Sequence, residues 1–404
     1  MRTDLAIGIR LATGRHALGR SLLVAGDIGL CVAVLLYAAG AVGPHPARLI
    51  AVGSVAGFLL APLIVFIASV AKLGGPERDR RLATLRLLGA SAVQVRRVAA
   101  AESLTGVVAG LGLGIGLFAA VRGLGALSWS AFVALTGIVP VLAAGAALAG
   151  TRSTVIEPLG VVREAETAAR RLRWRLVPVG LGLALLAIGM TATGETADMT
   201  ASAGLVSILA SIPVLLPWLV ERAVSGLRGG RPSWQLAVRR LQADSGTPSR
   251  VAGGVAVLLA AAVGARTVLR SVPPVPLLGE GIYLMSGFTL LVAGASLLVL
   301  VVQQLSERRR AVAALAASGV PWGVIGRSLL WQNLIPIGFG VLVADLAGTG
   351  LAATILRMVG ARISFDWVFT LIVSALAVVM VMAVTLSAIP IVRAGAHSDA
   401  LREE

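Results

Sequence analysis

The chain has 404 residues, of which 57% are hydrophobic and only 13% are charged. Soluble domains carry charge at about a quarter of their positions, so this composition excludes a soluble globular protein and indicates an integral membrane protein. The net charge of +16 would suit a nucleic-acid binder. The basic residues, however, lie in short runs between apolar segments, which is typical of cytoplasmic loops, and we expect no nucleic-acid partner. Cys31 is the only cysteine and the three histidines are scattered, so we expect no intrachain disulfide and no metal site.

Apolar segments long enough to cross a membrane recur along the whole chain. A bilayer core of about 30 Å needs about 20 apolar residues in a helix. Ten segments qualify, so the sequence predicts an all-α, polytopic membrane protein with about ten transmembrane helices. The seventh is the weakest, because Arg266 interrupts it, and we expect this side chain to reach the outer interface. In chain order the segments are 21–41, 49–71, 103–125, 128–150, 175–194, 200–220, 251–271, 282–304, 329–356 and 367–392.

The basic residues between these segments predict the orientation. With the N-terminus inside, 29 of the Lys and Arg residues fall on the cytoplasmic side and 6 on the outer side. Basic residues are enriched in cytoplasmic loops, so both termini are predicted to be cytoplasmic. The six outer residues are Arg48, Arg122, Arg266, Arg270, Arg357 and Arg362.

A long internal repeat divides the chain. The segment 77–89 matches 307–319, and seven positions between 77 and 99 are identical at an offset of 230 residues. An ungapped repeat of this kind indicates a duplicated membrane module. We therefore predict a first four-helix module (1–165), a two-helix bridge (166–231) and a second four-helix module (232–404), an arrangement of four, two and four helices. Each module opens with an amphipathic basic stretch, 5–20 and 234–250, that we expect at the inner membrane surface.

The cytoplasmic loop 77–97 is the main functional candidate. It predicts a short helix with a basic face and apolar positions Leu82, Leu85, Leu88 and Val95. Gly89 suits a helix stop or tight turn, and Ser91 suits the cap of the following helix. An ordinary positive-inside loop would explain the arginines alone, but the recurrence at 307–319 favours a functional element.

These residues resemble the FtsX-like permeases of ABC transporters. The matching positions of the first module are a Glu-Arg start, a Leu-Arg-x-Leu-Gly-Ala run, a later Glu and a glycine-rich helix. The second module repeats the Glu-Arg start, the Leu and the Gly. The residues carrying the resemblance are Glu77, Arg78, Leu85, Arg86, Leu88, Gly89, Ala90, Glu102, Gly106, Gly110, Gly112, Gly114, Gly116, Glu307, Arg308, Leu315 and Gly319.

The resemblance implies a permease subunit in the bacterial cytoplasmic membrane. It implies that 77–97 and 307–327 are coupling helices that sit on a separate cytoplasmic ABC ATPase, expected as a dimer. The partner would bind ATP, so this chain is expected to be neither an enzyme nor a cofactor protein. A hydrophobic or amphipathic compound, such as a lipid, a peptide or an antimicrobial, would be exported or extracted from the membrane. The expected coupling residues are Glu77, Arg78, Arg81, Leu85, Arg86, Gly89, Glu307, Arg308, Leu315 and Gly319.

Three alternatives remain open at this point. The chain could act as a mechanotransmitting regulator of the cell envelope, as a sensory partner in a peptide-resistance system, or as a secondary transporter that needs no ATP. The segment 14–21 is one residue from a phosphate-binding loop, but it follows no strand and runs into a membrane helix, which argues against phosphate binding.

Polar and small residues inside the membrane form a second set of candidates. Asp345 falls near the middle of the ninth segment, where a charge costs about 2.5–3.5 kcal/mol to insert. It is either a polar contact on a substrate path or a packed, hydrogen-bonded side chain. Glu102 and Asp27 lie near the inner interface. Gly106, Gly110 and Gly114 recur every four residues, a spacing that allows close packing of helices.

Overall fold

The computed structural model describes residues 22, 25–26, 28–30, 32–37, 57–58, 61, 84, 87–123, 129–150, 172–192, 195–243, 246–271 and 320–395. All regular elements in these ranges are helices. We label them α1 (Ile28–Tyr37), α2 (Ala92–Arg122), α3 (Trp129–Gly150), α4 (Leu172–Thr191), α5 (Glu195–Ser225), α6 (Pro232–Ala243), α7 (Gly246–Ser271), α8 (Trp322–Met358) and α9 (Trp367–Gly395).

The all-helical membrane class predicted from composition is confirmed. Within the described ranges, five helices are long and apolar enough to cross a membrane, and two shorter apolar helices accompany them. The total of ten and the order of four, two and four stay predictions, because 282–304 and most of 49–71 lie outside the described residues. The five spans are Val93–Arg122, Met199–Ser225, Ala252–Ser271, Trp322–Met358 and Trp367–Ser387.

The sequence repeat is also a structural repeat at its best-described point. Helices α2 and α8 begin at Ala92 and Trp322, which are separated by the same 230 residues as the repeated motif. Each of these helices packs against the first membrane helix of its own module, α2 against α1 and α8 against α7. The two modules therefore share one helix-pairing scheme.

Small residues allow both pairs to pack closely. A Cβ atom added to Gly114 would lie 2.6 Å from the carbonyl oxygen of Gly29 in α1. A Cβ atom added to Gly348 would lie 2.6 Å from the carbonyl oxygen of Ala260 in α7. Helix association in lipid depends on such contacts, because burial of apolar surface gives no advantage over lipid tails.

Helices α4 and α5, which the sequence assigns to the bridge, lie against helices of the predicted second module and also touch residues of the predicted first module. Helix α4 packs along α5, and α5 packs in turn on α7 and α8. Gly57 of the first module fits against Leu205 of α5, and Phe58 fits against Gly264 of α7. Phe58 is fully buried. A buried aromatic side chain thus joins the two modules directly.

The seventh predicted segment, the one whose apolar run Arg266 interrupts, forms the shortest of the five spans. Helix α7 runs without interruption through Arg266, and its span is the most buried of the five. Arg266 is accommodated because its guanidinium donates to the carboxylate of Asp366, with an Nη2–Oδ2 distance of 3.3 Å. The charge of Arg266 is paired within the protein, so α7 can be buried between α5 and α8.

The amphipathic helix α6 buries its apolar face in the protein. Ala237, Val238 and Leu241 are buried, and Trp234 packs edge-on against Trp331 of α8 with ring centroids 5.1 Å apart. The side-chain amide of Gln242 donates to the carbonyl oxygen of Val224 at 3.0 Å, near the C-terminal end of α5. Helix α6 is therefore fixed to both α5 and α8.

Candidate coupling end, intramembrane polar contacts and outer charge cluster

The turn before α2 has the local geometry that its sequence predicts. Gly89 adopts φ +96°, a left-handed conformation that favours glycine. Ser91 is the N-cap of α2 and forms a capping box: its hydroxyl accepts from the backbone N–H of Gln94 (3.2 Å), while the Gln94 side chain accepts from the Ser91 N–H (2.8 Å). The predicted turn at Gly89 and cap at Ser91 are confirmed, so the loop joins α2 at a defined angle.

The remaining coupling candidates lie outside the described residues. Of this set, the structure describes Gly89 only, and a coupling role for the others stays a prediction. They are Glu77, Arg78, Arg81, Leu85, Arg86, Glu307, Arg308, Leu315 and Gly319.

Two leucine side chains beside the turn are largely exposed. Leu87 is 68% exposed and Leu88 is 79% exposed, the largest value among the large hydrophobic side chains. Val95, which the sequence places on the same apolar face as Leu88, is instead buried. The two positions differ because the left-handed Gly89 separates them, so they do not share one continuous helix.

The second module begins its equivalent helix differently. Helix α8 starts after Pro321, which makes no side-chain capping bond. Beyond that start, α8 is held by α6 through the contact between Trp234 and Trp331. The first module thus uses a side-chain cap where the second module relies on tertiary packing.

The glycine face of α2 is directed at α1. Gly106, Gly110 and Gly114 are buried, whereas Gly112 and Gly116 on the opposite side are exposed. A Cβ atom added to Gly110 would lie 2.8 Å from Cβ of Ile28. The glycine spacing therefore marks a helix–helix contact in this structure.

Polar side chains join α8 to α9 at two levels. The hydroxyl of Ser374 donates to the carboxylate of Asp345, at 3.0 and 3.2 Å from its two oxygens. Further along, the amide of Asn333 donates to the hydroxyl of Thr385 at 3.0 Å. Asp345 lies 12 residues, or about 18 Å, from the outer Arg357, which places it near the middle of a bilayer core of about 30 Å.

Of the other two acidic candidates, the structure describes only one. Glu102 of α2 is 9% exposed and has interaction partners. Asp27 lies outside the described residues. Asp345 is thus the acidic candidate whose intramembrane contact can be specified.

An ion cluster between the C-terminal end of α7 and the start of α9 was not predicted from the sequence. Oδ2 of Asp366 lies 2.7 Å from Nη1 of Arg270 and 3.3 Å from Nη2 of Arg266. The other oxygen, Oδ1, accepts from the backbone N–H of Phe369 (3.2 Å) at the start of α9. The signal that could have revealed it is an Asp immediately before an apolar helix, a typical N-cap.

The pKa of Asp366 is lowered from its ordinary value by the hydrogen bond from the Phe369 N–H and by the nearby Arg270 and Arg266. A lowered native pKa stabilises the folded chain above the ordinary pKa of about 4, and this contribution is lost as the pH falls through the native pKa. We expect Asp366→Asn to lower the free energy of unfolding by about 1 kcal/mol or less at pH 7. Thermal unfolding of both proteins in detergent between pH 7 and pH 3 should show this difference becoming smaller in acid. A difference that grows in acid would contradict the assignment.

These features define the class of the protein: an all-helical integral membrane protein with long, paired spans and a capped turn before α2. Residues 283–396 match the family model of the FtsX-like permease C-terminal domain. This match confirms, from the second module, the resemblance of the chain to the FtsX-like ABC permease family. Comparison with curated proteins and with solved structures gave no match.

Proposed function

We propose that the chain is the membrane permease subunit of an ABC transporter. It couples ATP hydrolysis by a separate cytoplasmic ATPase dimer to the export or membrane extraction of a hydrophobic or amphipathic compound. In this proposal the chain lies in the bacterial cytoplasmic membrane with both termini inside. FtsX-like permeases in general work with cytoplasmic ABC ATPases, and the match over 283–396 supports the same partner here.

The length of α2 supports a mechanical role. Its 31 residues span about 46 Å, whereas the bilayer core is about 30 Å thick. With Arg122 at the outer surface, about 15 Å of the helix extends into the cytoplasm. Because the helix continues into the membrane without a break, a displacement at its capped start is transmitted to the glycine face that packs on α1.

Helix α8 supports the same role in the second module. Its 37 residues span about 55 Å, so it extends further from the membrane than α2. Gln332 and Ser328 are buried in this extension, and Trp331 contacts α6. In this proposal, each module therefore has one helix that crosses the membrane and also extends into the cytoplasm.

The observation that carries the proposal is the exposure of Leu87 and Leu88 at the capped turn. They lie beyond the hydrocarbon layer, so lipid tails do not cover them. Exposed apolar side chains in such a position are typical of a protein-binding site. The neighbouring loop is rich in arginine in the sequence, and an apolar contact flanked by basic residues suits docking on a soluble partner.

The test is co-purification of the chain with the ATPase encoded beside it. We expect Leu88→Asp to weaken the complex about 30-fold or more, because truncating a central contact costs about 2 kcal/mol or more. Affinity and stimulated ATP hydrolysis should fall together. Leu227→Asp, at another partly exposed leucine just beyond α5, serves as the matched control and should leave both unchanged.

Full affinity and stimulation in the Leu88→Asp protein would overturn this docking site. A complex that hydrolyses ATP normally but moves no lipid, peptide or antimicrobial would instead favour the mechanotransmitting alternative.

A further inference from the structure

The outer end of the second module carries an unusual excess of positive charge. The described residues there include Arg266, Arg270, Arg357 and Arg362, against the single carboxylate of Asp366. Basic residues are normally depleted on this side of a membrane. Four of the six predicted outer basic residues thus lie in the second module. The preference of basic residues for the cytoplasmic side does not explain their presence there.

The loop before α9 brings Arg362 close to Arg270, while Arg357 lies in the last turn of α8, which packs along α7. The backbone N–H of Ser364 donates to the hydroxyl of Ser271 at 3.3 Å. Ser271 follows Arg270 directly, and Ser364 is two residues from Arg362. The hydrogen bond therefore places the loop arginine beside the end of α7.

Among the described residues, one carboxylate faces four arginines and cannot neutralise them. Asp366 is already shared by two guanidinium groups, and its side chain is only 13% exposed. Arg357 and Arg362 are exposed, and in the described part of the chain neither forms an ion pair. Arg270 keeps 48% of its side chain exposed. Guanidinium groups in such a position suit a phosphate, which they bind with paired N–H donors.

The rim lies at the depth of lipid headgroups. Trp367, the first residue of α9, is 61% exposed and directly follows Asp366. Exposed tryptophans at the ends of membrane helices lie at the boundary between hydrocarbon and headgroups. Trp129, the first residue of α3 in the other module, is 72% exposed and marks the same boundary.

We propose that the outer rim formed by Arg270, Arg357 and Arg362 binds the phosphate headgroup of an anionic lipid in the outer leaflet. Asp366 orients Arg270 and reduces the local charge without cancelling it. The site selects amphiphiles by headgroup, whereas the apolar surfaces of α8 and α9 accept their chains. This inference does not depend on the proposed ATPase coupling, because binding needs only the folded chain.

The test uses the full chain in nanodiscs, in a background where Cys31 is replaced by serine. A fluorophore on Val368→Cys, beside Asp366 and 68% exposed in the native chain, reports local contact. Quenching is compared between spin-labelled phosphatidic acid and spin-labelled phosphatidylcholine, each labelled near the headgroup. We expect at least about threefold stronger quenching by the anionic lipid, since each arginine near a charged membrane surface contributes about fivefold.

Arg357→Gln with Arg362→Gln should lower this ratio toward one, because it removes the two exposed guanidinium groups that form no ion pair among the described residues. The same fluorophore on Trp129→Cys is the matched control in the first module and should show no headgroup preference. A ratio near one in the native rim, or a ratio unchanged by the double substitution, would overturn the site. Displacement of the anionic lipid by millimolar inorganic phosphate at constant ionic strength would support recognition of phosphate by these arginines.

Discussion

Gly348→Ala is expected to destabilise the chain by about 1–3 kcal/mol, although alanine is the better helix former. The added Cβ would lie 2.6 Å from the carbonyl oxygen of Ala260 and 3.2 Å from its Cα. These are backbone atoms in the middle of α7, so no flexible side chain can move away. The two helices must separate, and that loses packing along the main contact of the second module.

The matched control is Gly350→Ala, two residues along the same helix. No atom lies within 4 Å of a Cβ at this position. We expect no loss of stability there, and a gain of up to about 1 kcal/mol from helix propensity. Thermal unfolding in one detergent measures both variants. Equal unfolding temperatures for the two would contradict the close packing of α7 and α8.

The same comparison is available in the first module. Gly114→Ala would place a Cβ 2.6 Å from the carbonyl oxygen of Gly29 and 2.8 Å from Cβ of Val32, whereas Gly116 faces open space. If the modules share one pairing scheme, Gly114→Ala should destabilise and Gly116→Ala should not. A loss confined to one module would show that the scheme is not equivalent in the two halves.

Asp345→Leu is expected to raise the stability of the chain while impairing transport. Placing Asp at the centre of a membrane helix costs about 2.5–3.5 kcal/mol. The hydrogen bond that Asp345 accepts from Ser374 returns about 0.6 kcal/mol on average, and about 1.7 at most. The insertion cost exceeds the stabilisation by the hydrogen bond, so our prediction is that Asp345 has a role in transport beyond packing.

Two measurements separate the roles of Asp345. Thermal unfolding should show a higher midpoint for Asp345→Leu, and transport with the ATPase partner should fall at least about tenfold, the effect of losing roughly 1.4 kcal/mol of interaction. Thr385→Val is the control, since it removes the other interhelical bond, from Asn333, without removing a charge. A stability loss in Asp345→Leu with transport unchanged would assign the residue to packing alone.

Hydropathy predicted the membrane-spanning parts of the helices more accurately than it predicted the residues at which the helices start. The segment 367–392 corresponds to α9, which starts at the same residue, because Trp367 marks both the interface and the helix start. The segments 103–125 and 329–356 begin well inside α2 and α8, which start at Ala92 and Trp322. Polar residues such as Arg97 and Arg327 lower the mean hydropathy but do not end a helix. Hydropathy therefore did not predict that α2 and α8 continue beyond their apolar segments.

Sequence spacing identified the glycine face of α2 but not the outer charge cluster. A repeat of four residues is a property of one helix, so Gly106, Gly110 and Gly114 could be assigned to one side from the sequence alone. The pairing of Arg266 with Asp366 joins residues 100 positions apart. Only the packing of α7 against the start of α9 brings them together, and one sequence contains no signal for that distance.

The different starts of α2 and α8 have a consequence for how such a protein can change. In a protein assembled from two identical chains, any substitution in this turn is present in both copies. Here both halves belong to one polypeptide, so the side-chain cap at Ser91 can be kept while the equivalent position becomes Pro321. Because the two helix starts are encoded separately in one polypeptide, a substitution at one of them leaves the other unchanged.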